Sequence, residues 1–408
     1  MTEALSLKVS EEIIDGEYRR YTRIHDKDGN VEVDIFHQSK WMKSIEASPC
    51  LDGHIFALLI YLMKRGRPVY VAGAVSSQAL RNLRELQLAW TRWKPETYSV
   101  IEIVPASIYT PAKSNEGRTI SGFSGGADAT FTALMHTKVL SEVARYPLTD
   151  ILMVHGFDVD LDNEKYFVDL QNRVQPLISD LGLQLRTIKT NSKDWNRQNW
   201  DDSFALELAA CLHLAGSDCD FGLVGSSEPY EALVLPWGSS PVTDYLISGD
   251  AMRIVHDGAG YSRSDKIAEI AKHPVARNTI KVCWAGEVQS DNCGKCEKCI
   301  RTMLNFKANG DSIPHGAFPN GLNLGDIANI KIYTKVQMAE FEGIIRHARM
   351  NGVTQAEWIP ALKKRMRRGY SSYGPTGLRK LAGKTLDAVG LKPLVKRMLG
   401  RGKAVPAS

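Results

Sequence analysis

Strand-like and helix-like segments alternate regularly after Arg118, and this alternation constrains the fold more than any other feature of the sequence. The predicted strands cover residues 118–123, 150–155, 184–190 and 219–224, and the predicted helices between them cover residues 130–145, 164–181 and 203–215. Strands that are joined by helices pair in parallel, because the crossover connection packs each helix against a face of the sheet. The sequence therefore predicts the α/β class, with an open parallel sheet that carries helices on both faces.

The carboxyl ends of these strands are where we expect a binding site, because ligands of open parallel sheets lie there. The residues that follow the four predicted strands are 124–128, 155–158, 190–192 and 225–228. The last group begins a long loop, rich in aromatic and hydroxyl side chains, that extends to Pro241. We expect this loop to contact a substrate, and a surface loop without such a role is the alternative.

A glycine-rich turn follows the first predicted strand. It contains Gly125 and Gly126 and leads directly into the first predicted helix. Backbone N–H groups at such a turn converge on an anion at the helix N-terminus, and glycine lets the backbone approach the anion closely. Ser124 and Thr130 can add hydroxyl donors, and Asp128 can orient the turn or bind a magnesium ion. The turn predicts a site for nucleotide phosphates, with an ordinary strand-to-helix connection as the alternative.

Four of the seven cysteines lie within seventeen residues of one another. They are Cys283, Cys293, Cys296 and Cys299. Four thiolates satisfy a tetrahedral zinc ion, and the C-x-x-C spacing directs two sulfurs at one metal. Basic side chains in the same segment can offset the negative charge of the complex: Lys295, Lys298 and Arg301. We predict a structural zinc site, and the alternatives are an iron–sulfur cluster, a redox dithiol or scattered buried thiols.

Residues 124–128 resemble the S-G-G-x-D-S/T signature of the PP-loop ATP pyrophosphatase superfamily. Ala129 stands where that signature has Ser or Thr, and Thr130 follows one position later. The glycine-rich turn and the later cysteines occur in the same order as in the 7-cyano-7-deazaguanine synthase family of the queuosine pathway, whose zinc site contains C-G-x-C-x-x-C. The similarity to that family covers roughly residues 115–310.

The resemblance implies a HUP-type nucleotide-binding fold and an AMP-forming ligase that makes a C–N bond. Such an enzyme uses ATP and magnesium to adenylate a substrate oxygen, releases pyrophosphate, and lets ammonia displace AMP. The implied acceptor is a small molecule or is nucleobase-like. One alternative is PP-loop sulfur transfer to tRNA, which needs a reactive cysteine that is not a metal ligand. Another is a non-catalytic nucleotide-binding scaffold, which Ala129 leaves open.

The resemblance also implies roles for individual residues. Those expected to bind the pyrophosphate part of ATP are Ser124, Gly125, Gly126, Asp128 and Thr130. Adenine is expected beside the backbone at residues 154–157, which include Gly156. His155 could stack on the adenine or form a hydrogen bond to it, and a structural role for this histidine is the alternative. Lys266 occupies a place similar to that of the family's lysine. Together with Asp128 and Arg263 it is assigned to catalysis, and solvated cations at a helix start are the alternative for the two basic residues.

Three regions are predicted along the chain: an α/β leader domain of residues 1–112, a PP-loop domain with its zinc site of residues 113–310, and a helical region of residues 311–408. The leader has a hairpin signal at residues 28–30, followed by a helix at 54–63, a strand at 68–72, a helix at 77–90 and a strand at 100–104. The third region contains predicted helices at 332–350 and 356–368. The hairpin signal is a polar Asp-Gly-Asn turn between two alternating segments.

Residues 361–408 form a basic tail, with thirteen Lys or Arg residues and a single acidic one. Such a tail can contact a polyanion such as RNA, an anionic membrane surface or a protein partner, and disorder without a partner is the alternative. The cysteine clustering and the absence of a signal-peptide pattern predict a cytoplasmic protein that is peripheral at the membrane where the tail binds lipid. The sequence is also compatible with oligomer formation.

Overall fold

The structure is a computed structural model that describes residues 3–111, 117–196, 199–283 and 285–371. Its strands are β1 (Leu5–Ile14), β2 (Glu17–His25), β3 (Val31–Ser39), β4 (Val69–Ser76), β5 (Ile103–Tyr109), β6 (Thr119–Gly122), β7 (Leu148–His155), β8 (Gln184–Thr190), β9 (Phe221–Gly225) and β10 (Arg253–Asp257). These ten strands form one sheet in the order β10-β9-β6-β7-β8-β3-β2-β1-β4-β5. Strand β6, which leads into the glycine-rich turn, therefore lies beside β7 and β9 in one half of the sheet.

The sheet is mixed, and it is mostly parallel. Every pair among β6 to β10 is parallel, as are the pairs of β4 with β1 and with β5. In contrast, β1, β2 and β3 pair antiparallel, and β3 pairs antiparallel with β8. The parallel sheet expected from residue 118 onward is therefore confirmed for β6 to β10. The antiparallel pairs arise because the short hairpin connections of β1 to β3 leave no room for a crossover helix.

The pairing of β3 with β8 joins the predicted leader region to the predicted PP-loop region. It consists of His37 opposite Thr190 and Gln38 opposite Lys189. The sheet thus continues from one region into the other without interruption. The predicted boundary at residue 112 separates two segments of one sheet, and it does not separate two sheets.

The helices are α1 (Asp52–Arg65), α2 (Ser77–Trp93), α3 (Ala127–Leu134), α4 (Glu164–Asp180), α5 (Ser192–Asn196), α6 (Trp200–His213), α7 (Arg263–Ala271), α8 (Pro274–Thr279), α9 (Glu297–Ala308), α10 (Leu324–Asn329), α11 (Lys335–Met350) and α12 (Trp358–Arg367). A π-helical turn, Met135–Val139, extends α3. Residues of α1, α2 and α6 form one hydrophobic core, and residues of α3, α4 and α7 to α12 form the other. The expected helices on both faces of the sheet are confirmed.

Alternate residues of the central strands feed these two cores. In β7, Ile151 and Met153 belong to the core that contains α3, whereas Leu152 belongs to the core that contains α6. Successive strand side chains point to opposite faces, so a strand that is covered on both faces needs apolar residues at every position. This two-sided burial explains the continuous apolar run of residues 151–154 within β7.

Several local expectations can be compared with the structure. The hairpin at residues 28–30 is confirmed as the β2–β3 connection, where the Asp26 carboxylate accepts from the backbone N–H groups of Asp28 and Asn30. The strand expected at 100–104 begins only at Ile103. Strands β1 and β10 were not predicted. Among the described helices, none has the length and apolar character that a bilayer crossing requires. Most of the basic tail, from residue 372 onward, lies outside the described residues.

Candidate functional site

The glycine-rich turn connects β6 to α3 at the carboxyl end of the parallel half of the sheet. Gly125 has a φ of +74°, which is left-handed backbone that favours glycine. A Cβ atom at this position would lie 3.0 Å from a methyl carbon of Val174 on α4. The Gly125 carbonyl accepts a hydrogen bond from the backbone N–H of Lys281 at 2.8 Å. Gly126 is extended and caps α3, so the first N–H groups of that helix face the turn.

Helix α7 brings two cations to Asp128, in the first turn of α3. Arg263 Nη2 donates to Asp128 Oδ2 at 3.0 Å, and Lys266 Nζ donates to Asp128 Oδ1 at 3.1 Å. The Lys266 side chain is 2% exposed and also donates to the backbone carbonyl of Ser226, which follows β9. A capping box between Ser262 and Asp265 sets the start of α7 and therefore the direction of both cations.

Basic side chains around Asp128 keep its carboxyl group ionised. Burial alone would raise the pKa of the Asp128 carboxyl, but Arg263 and Lys266 outweigh burial and lower it to about 2. Lys298 of α9 is also near enough to lower the pKa of this carboxyl. Burial would lower the pKa of Arg263, and the attraction of Asp128 raises it instead. Arg263 also lies near Glu297 and Glu340, and Lys298 lies near Asp158. Asp128 is therefore one of several carboxylates near these cations, and it is the one that both Arg263 and Lys266 contact directly.

Two residues expected to bind nucleotide do not fit that role. Thr130 is fully buried, and its hydroxyl lies 3.5 Å from the Gly125 carbonyl inside the turn. His155 is also fully buried, and its ring stacks on Phe167 with a centroid distance of 4.5 Å. His155 Nε2 lies 3.0 Å from the Asp160 carbonyl oxygen. Burial in the core lowers the pKa of His155, so the ring is neutral and structural at neutral pH.

Gly156 and Ala129 also have structural explanations. Gly156 has a φ of +113°, and a Cβ atom there would lie 2.0 Å from the Thr190 carbonyl oxygen at the end of β8. Only glycine therefore allows β7 and β8 to end this close together. Ala129 packs in the hydrophobic core between α3 and its neighbours. Of the sequence-predicted residues, those that meet at the mouth of the turn are Ser124, Gly125, Gly126, Asp128, Arg263 and Lys266.

The four clustered cysteines are brought together, and their ligand atoms all lie within 4.8 Å of one another. Cys283 Sγ lies 3.7 Å from Cys296 Sγ, and Cys293 Sγ lies 4.0 Å from Cys299 Sγ. Tetrahedral zinc with bonds of about 2.3 Å requires sulfur–sulfur distances of about 3.8 Å. The donor set and its spacing therefore fit a closed four-thiolate site. This group of cysteines could therefore bind zinc.

The local backbone explains this geometry. Gly294 has a φ of +72°, which makes the tight turn after Cys293, and the Cys296 N–H donates to Cys293 Sγ at 3.3 Å. Cys296 caps the N-terminus of α9, and Cys299 lies in its first turn, where the helix dipole favours thiolates. Hydrogen bonds from Cys296 and Cys299 lower the pKa of Cys283. The cysteine cluster therefore lies at the start of the helix that carries Lys298.

The three cysteines outside this cluster are Cys50, Cys211 and Cys219. Burial raises the pKa of Cys219 to about 12, and burial also raises the pKa of Cys50 and of Cys211. Because a thiolate is the reactive form, none of these three is prepared for nucleophilic chemistry.

Sequence reasoning missed several parts of the site. Lys281 contacts the site through its backbone N–H, which no side-chain motif encodes. Ser226 contacts it through its backbone carbonyl and lies within the expected residues 225–228. Lys298 was interpreted only as a charge beside the cysteines, although its place one residue before Cys299 indicated a fixed position. In the long loop after β9, Gly238 donates its N–H to the Asp201 carbonyl at 2.9 Å. That part of the loop packs on α6, so its expected substrate contact stays a prediction.

Comparison with known proteins gives no assignment. The chain matches no protein-family model, and neither the curated proteins nor the solved structures contain a significant match to it. The interpretation of the site therefore depends on its residues and geometry.

Proposed function

We propose that this chain is an ATP-dependent, AMP- and pyrophosphate-forming enzyme of the PP-loop type, with a HUP-like nucleotide-binding half. The observation that carries the proposal is the contact of α7 with the glycine-rich turn. Arg263 and Lys266 are held beside the N-terminus of α3, at the carboxyl end of β6. Backbone N–H groups, a helix N-terminus and fixed cations together provide what a leaving pyrophosphate needs.

In the proposed reaction, an oxygen of the acceptor attacks the α-phosphorus of ATP. The bond from that phosphorus to the bridging oxygen breaks, and pyrophosphate leaves with the electron pair. Ammonia then forms a C–N bond as the C–O bond to AMP breaks, and the nitrogen loses a proton to solvent. Arg263 and Lys266 stabilise the charge that develops on pyrophosphate, and the turn orients its oxygens. Magnesium that accompanies ATP would neutralise part of the phosphate charge.

The structure of the acceptor is left open by this proposal, and its class is small-molecule or nucleobase-like. Sulfur transfer to tRNA is disfavoured by the state of Cys50, Cys211 and Cys219, whose raised pKa values oppose thiolate formation. The four remaining cysteines are accounted for by the metal site. A non-catalytic scaffold would share the same turn, so measured turnover has to separate it from an enzyme.

The test is pyrophosphate release after mixing with magnesium-ATP, an ammonium salt and candidate acceptors, combined with calorimetry of magnesium-ATP binding. Lys266→Met removes a buried cation while keeping the length of the side chain, and we expect release to slow by about a hundredfold. The matched control is Lys272→Met, which changes a residue at the exposed end of the same helix. No heat of binding in the unmodified protein, or equal turnover in the two variants, contradicts the proposal.

A further inference from the structure

The metal site and the glycine-rich turn are connected by a short segment of chain, residues 280–283. Within it, the Lys281 N–H donates to the Gly125 carbonyl at 2.8 Å, and Cys283 is the first metal ligand. This segment has no regular secondary structure. Its conformation, and therefore the bond to Gly125, depends on whatever holds the segment at its two ends.

Asn292 holds this segment from the other side of the metal site. Its Oδ1 accepts from the backbone N–H groups of Val282 at 2.8 Å and Cys283 at 3.1 Å. Its Nδ2 donates to the carbonyls of Ile280 at 2.9 Å and Ala317 at 3.0 Å. One side chain thus makes four hydrogen bonds to backbone groups. Because Asn292 directly precedes the ligand Cys293, it moves with the metal site.

A metal ion bound by the four cysteines would fix the distance between residues 280–283 and Asn292. Cys283 ends the segment and Cys293 follows Asn292, so coordination closes the loop between them. Without a metal, this closure depends on the hydrogen bonds that Asn292 makes and on a weak contact between the thiols of Cys283 and Cys296. Closing a loop reduces the conformational freedom of the chain within it and favours the hydrogen bonds that Asn292 makes.

We propose that Asn292 is a positioning residue that couples the metal site to the glycine-rich turn, so that zinc and pyrophosphate bind this protein cooperatively. Zinc coordination fixes the position of Asn292, and the hydrogen bonds of Asn292 fix the conformation of residues 280–283. The Lys281 N–H then keeps the Gly125 carbonyl in the conformation that exposes the N-terminus of α3. This inference rests on the proposed anion site at the turn. Thermodynamic linkage requires that pyrophosphate raise zinc affinity by the same factor as zinc raises pyrophosphate affinity.

The experiment measures that factor. Zinc affinity is determined by competition with a chelator, with and without magnesium-pyrophosphate, for the unmodified protein and for Asn292→Ala. We expect pyrophosphate to tighten zinc binding about tenfold in the unmodified protein, in keeping with the usual effect of groups that orient metal ligands. In Asn292→Ala we expect the factor to fall to about one, a change that a general loss of stability would not produce.

Asn278→Ala is the matched control. Asn278 also links two backbone segments nearby, since its Oδ1 accepts from the Gly316 N–H at 3.1 Å and its Nδ2 donates to the Pro274 carbonyl. It makes no hydrogen bond to residues 280–283, so we expect its coupling factor to equal that of the unmodified protein. Equal factors for Asn292→Ala and the unmodified protein would overturn the inference.

A second measurement does not depend on the proposed function. Hydrogen exchange of the Lys281 amide is followed with zinc present and after its removal, with the amides of β8 as an internal reference. We expect zinc removal to accelerate exchange at Lys281 about tenfold or more while β8 stays protected. Unchanged protection at Lys281 overturns the coupling. If pyrophosphate fails to bind while Lys281 responds to zinc, the proposed function fails and the structural coupling stands.

Discussion

Replacing Asp128 by Asn tests the electrostatic description of the site. The substitution keeps the shape of the side chain and removes the charge that both Arg263 and Lys266 contact. The two cations, with side chains that are 11% and 2% exposed, would then lose the carboxylate that both of them contact. Because a buried charge that loses its partner is costly, we expect the protein to become less stable.

The size of the effect follows from the pKa of Asp128, which is lowered from 3.8 to about 2. A shift of nearly two units corresponds to about 2.5 kcal/mol of stability at neutral pH. Loss of one partner from a buried ion pair usually costs about 3 to 5 kcal/mol. This cost includes the energy worked out from the pKa shift, so the two values are not added. Since the Asp128 side chain is 21% exposed, we expect Asp128→Asn to lose about 2 to 4 kcal/mol.

The assay is urea unfolding at pH 7 and at pH 3. A carboxyl group whose pKa is lowered in the folded state stabilises above its unfolded pKa of 3.8, and this stabilisation is lost as the pH falls through about 2. The difference between the two proteins should therefore shrink at pH 3 to roughly half of its value at pH 7. Asp28→Asn, in the exposed β2–β3 turn, is the control. A loss below about 1 kcal/mol at pH 7, or a difference that does not vary with pH, refutes the electrostatic reasoning.

Three further predictions concern other buried groups. Burial and the nearby Arg20 lower the pKa of His37 to about 3. The protein should therefore lose up to about 5 kcal/mol of stability as the pH falls from 6.5 toward 3. In urea unfolding, His37→Phe should make the free energy of unfolding depend less on pH over this range. Burial raises the pKa of Glu207 to about 7, so its stabilising contribution is lost as the pH rises through 7. At pH 9, thermal unfolding should show Glu207→Gln to be more stable than the unmodified protein by up to about 3 kcal/mol. Equal stability of the two proteins would contradict this prediction. Gly125→Ala should lower the free energy of unfolding in urea by at least about 1 to 2 kcal/mol and should also weaken pyrophosphate binding. The control Gly182→Ala, at a φ of +66° with no atom near its Cβ, should lower stability but leave pyrophosphate binding unchanged.

Local sequence patterns predicted much of the parallel half of the sheet. The strand expected at residues 184–190 is confirmed with the same bounds, and the helix expected at 164–181 ends one residue earlier. The helix is readable because helices repeat their apolar residues with a fixed period. The cysteine cluster is equally local, since four ligands within seventeen residues can meet by turns alone.

Contacts between residues far apart in the chain could not be predicted from sequence patterns. His155 was expected beside adenine, but its burial against Phe167 depends on how α4 packs, and position after a strand does not reveal this. The pairing of β3 with β8, which joins the strands of the leader region to the parallel strands, involves two residue pairs about 150 positions apart. Such a short antiparallel contact leaves no periodic signal in the sequence.

The sequence by itself determined the α/β class, the glycine-rich turn and the cysteines that could hold zinc, because each depends on spacing along a short stretch of chain. Only the tertiary structure decided which side chains surround the turn. Asp128 meets Arg263 and Lys266 across more than 130 residues, and Lys281 reaches Gly125 through a backbone N–H that every residue except proline carries. Spacing in the chain determines local geometry, whereas the packing of α7 and residues 280–283 against α3 results from burial of the whole core.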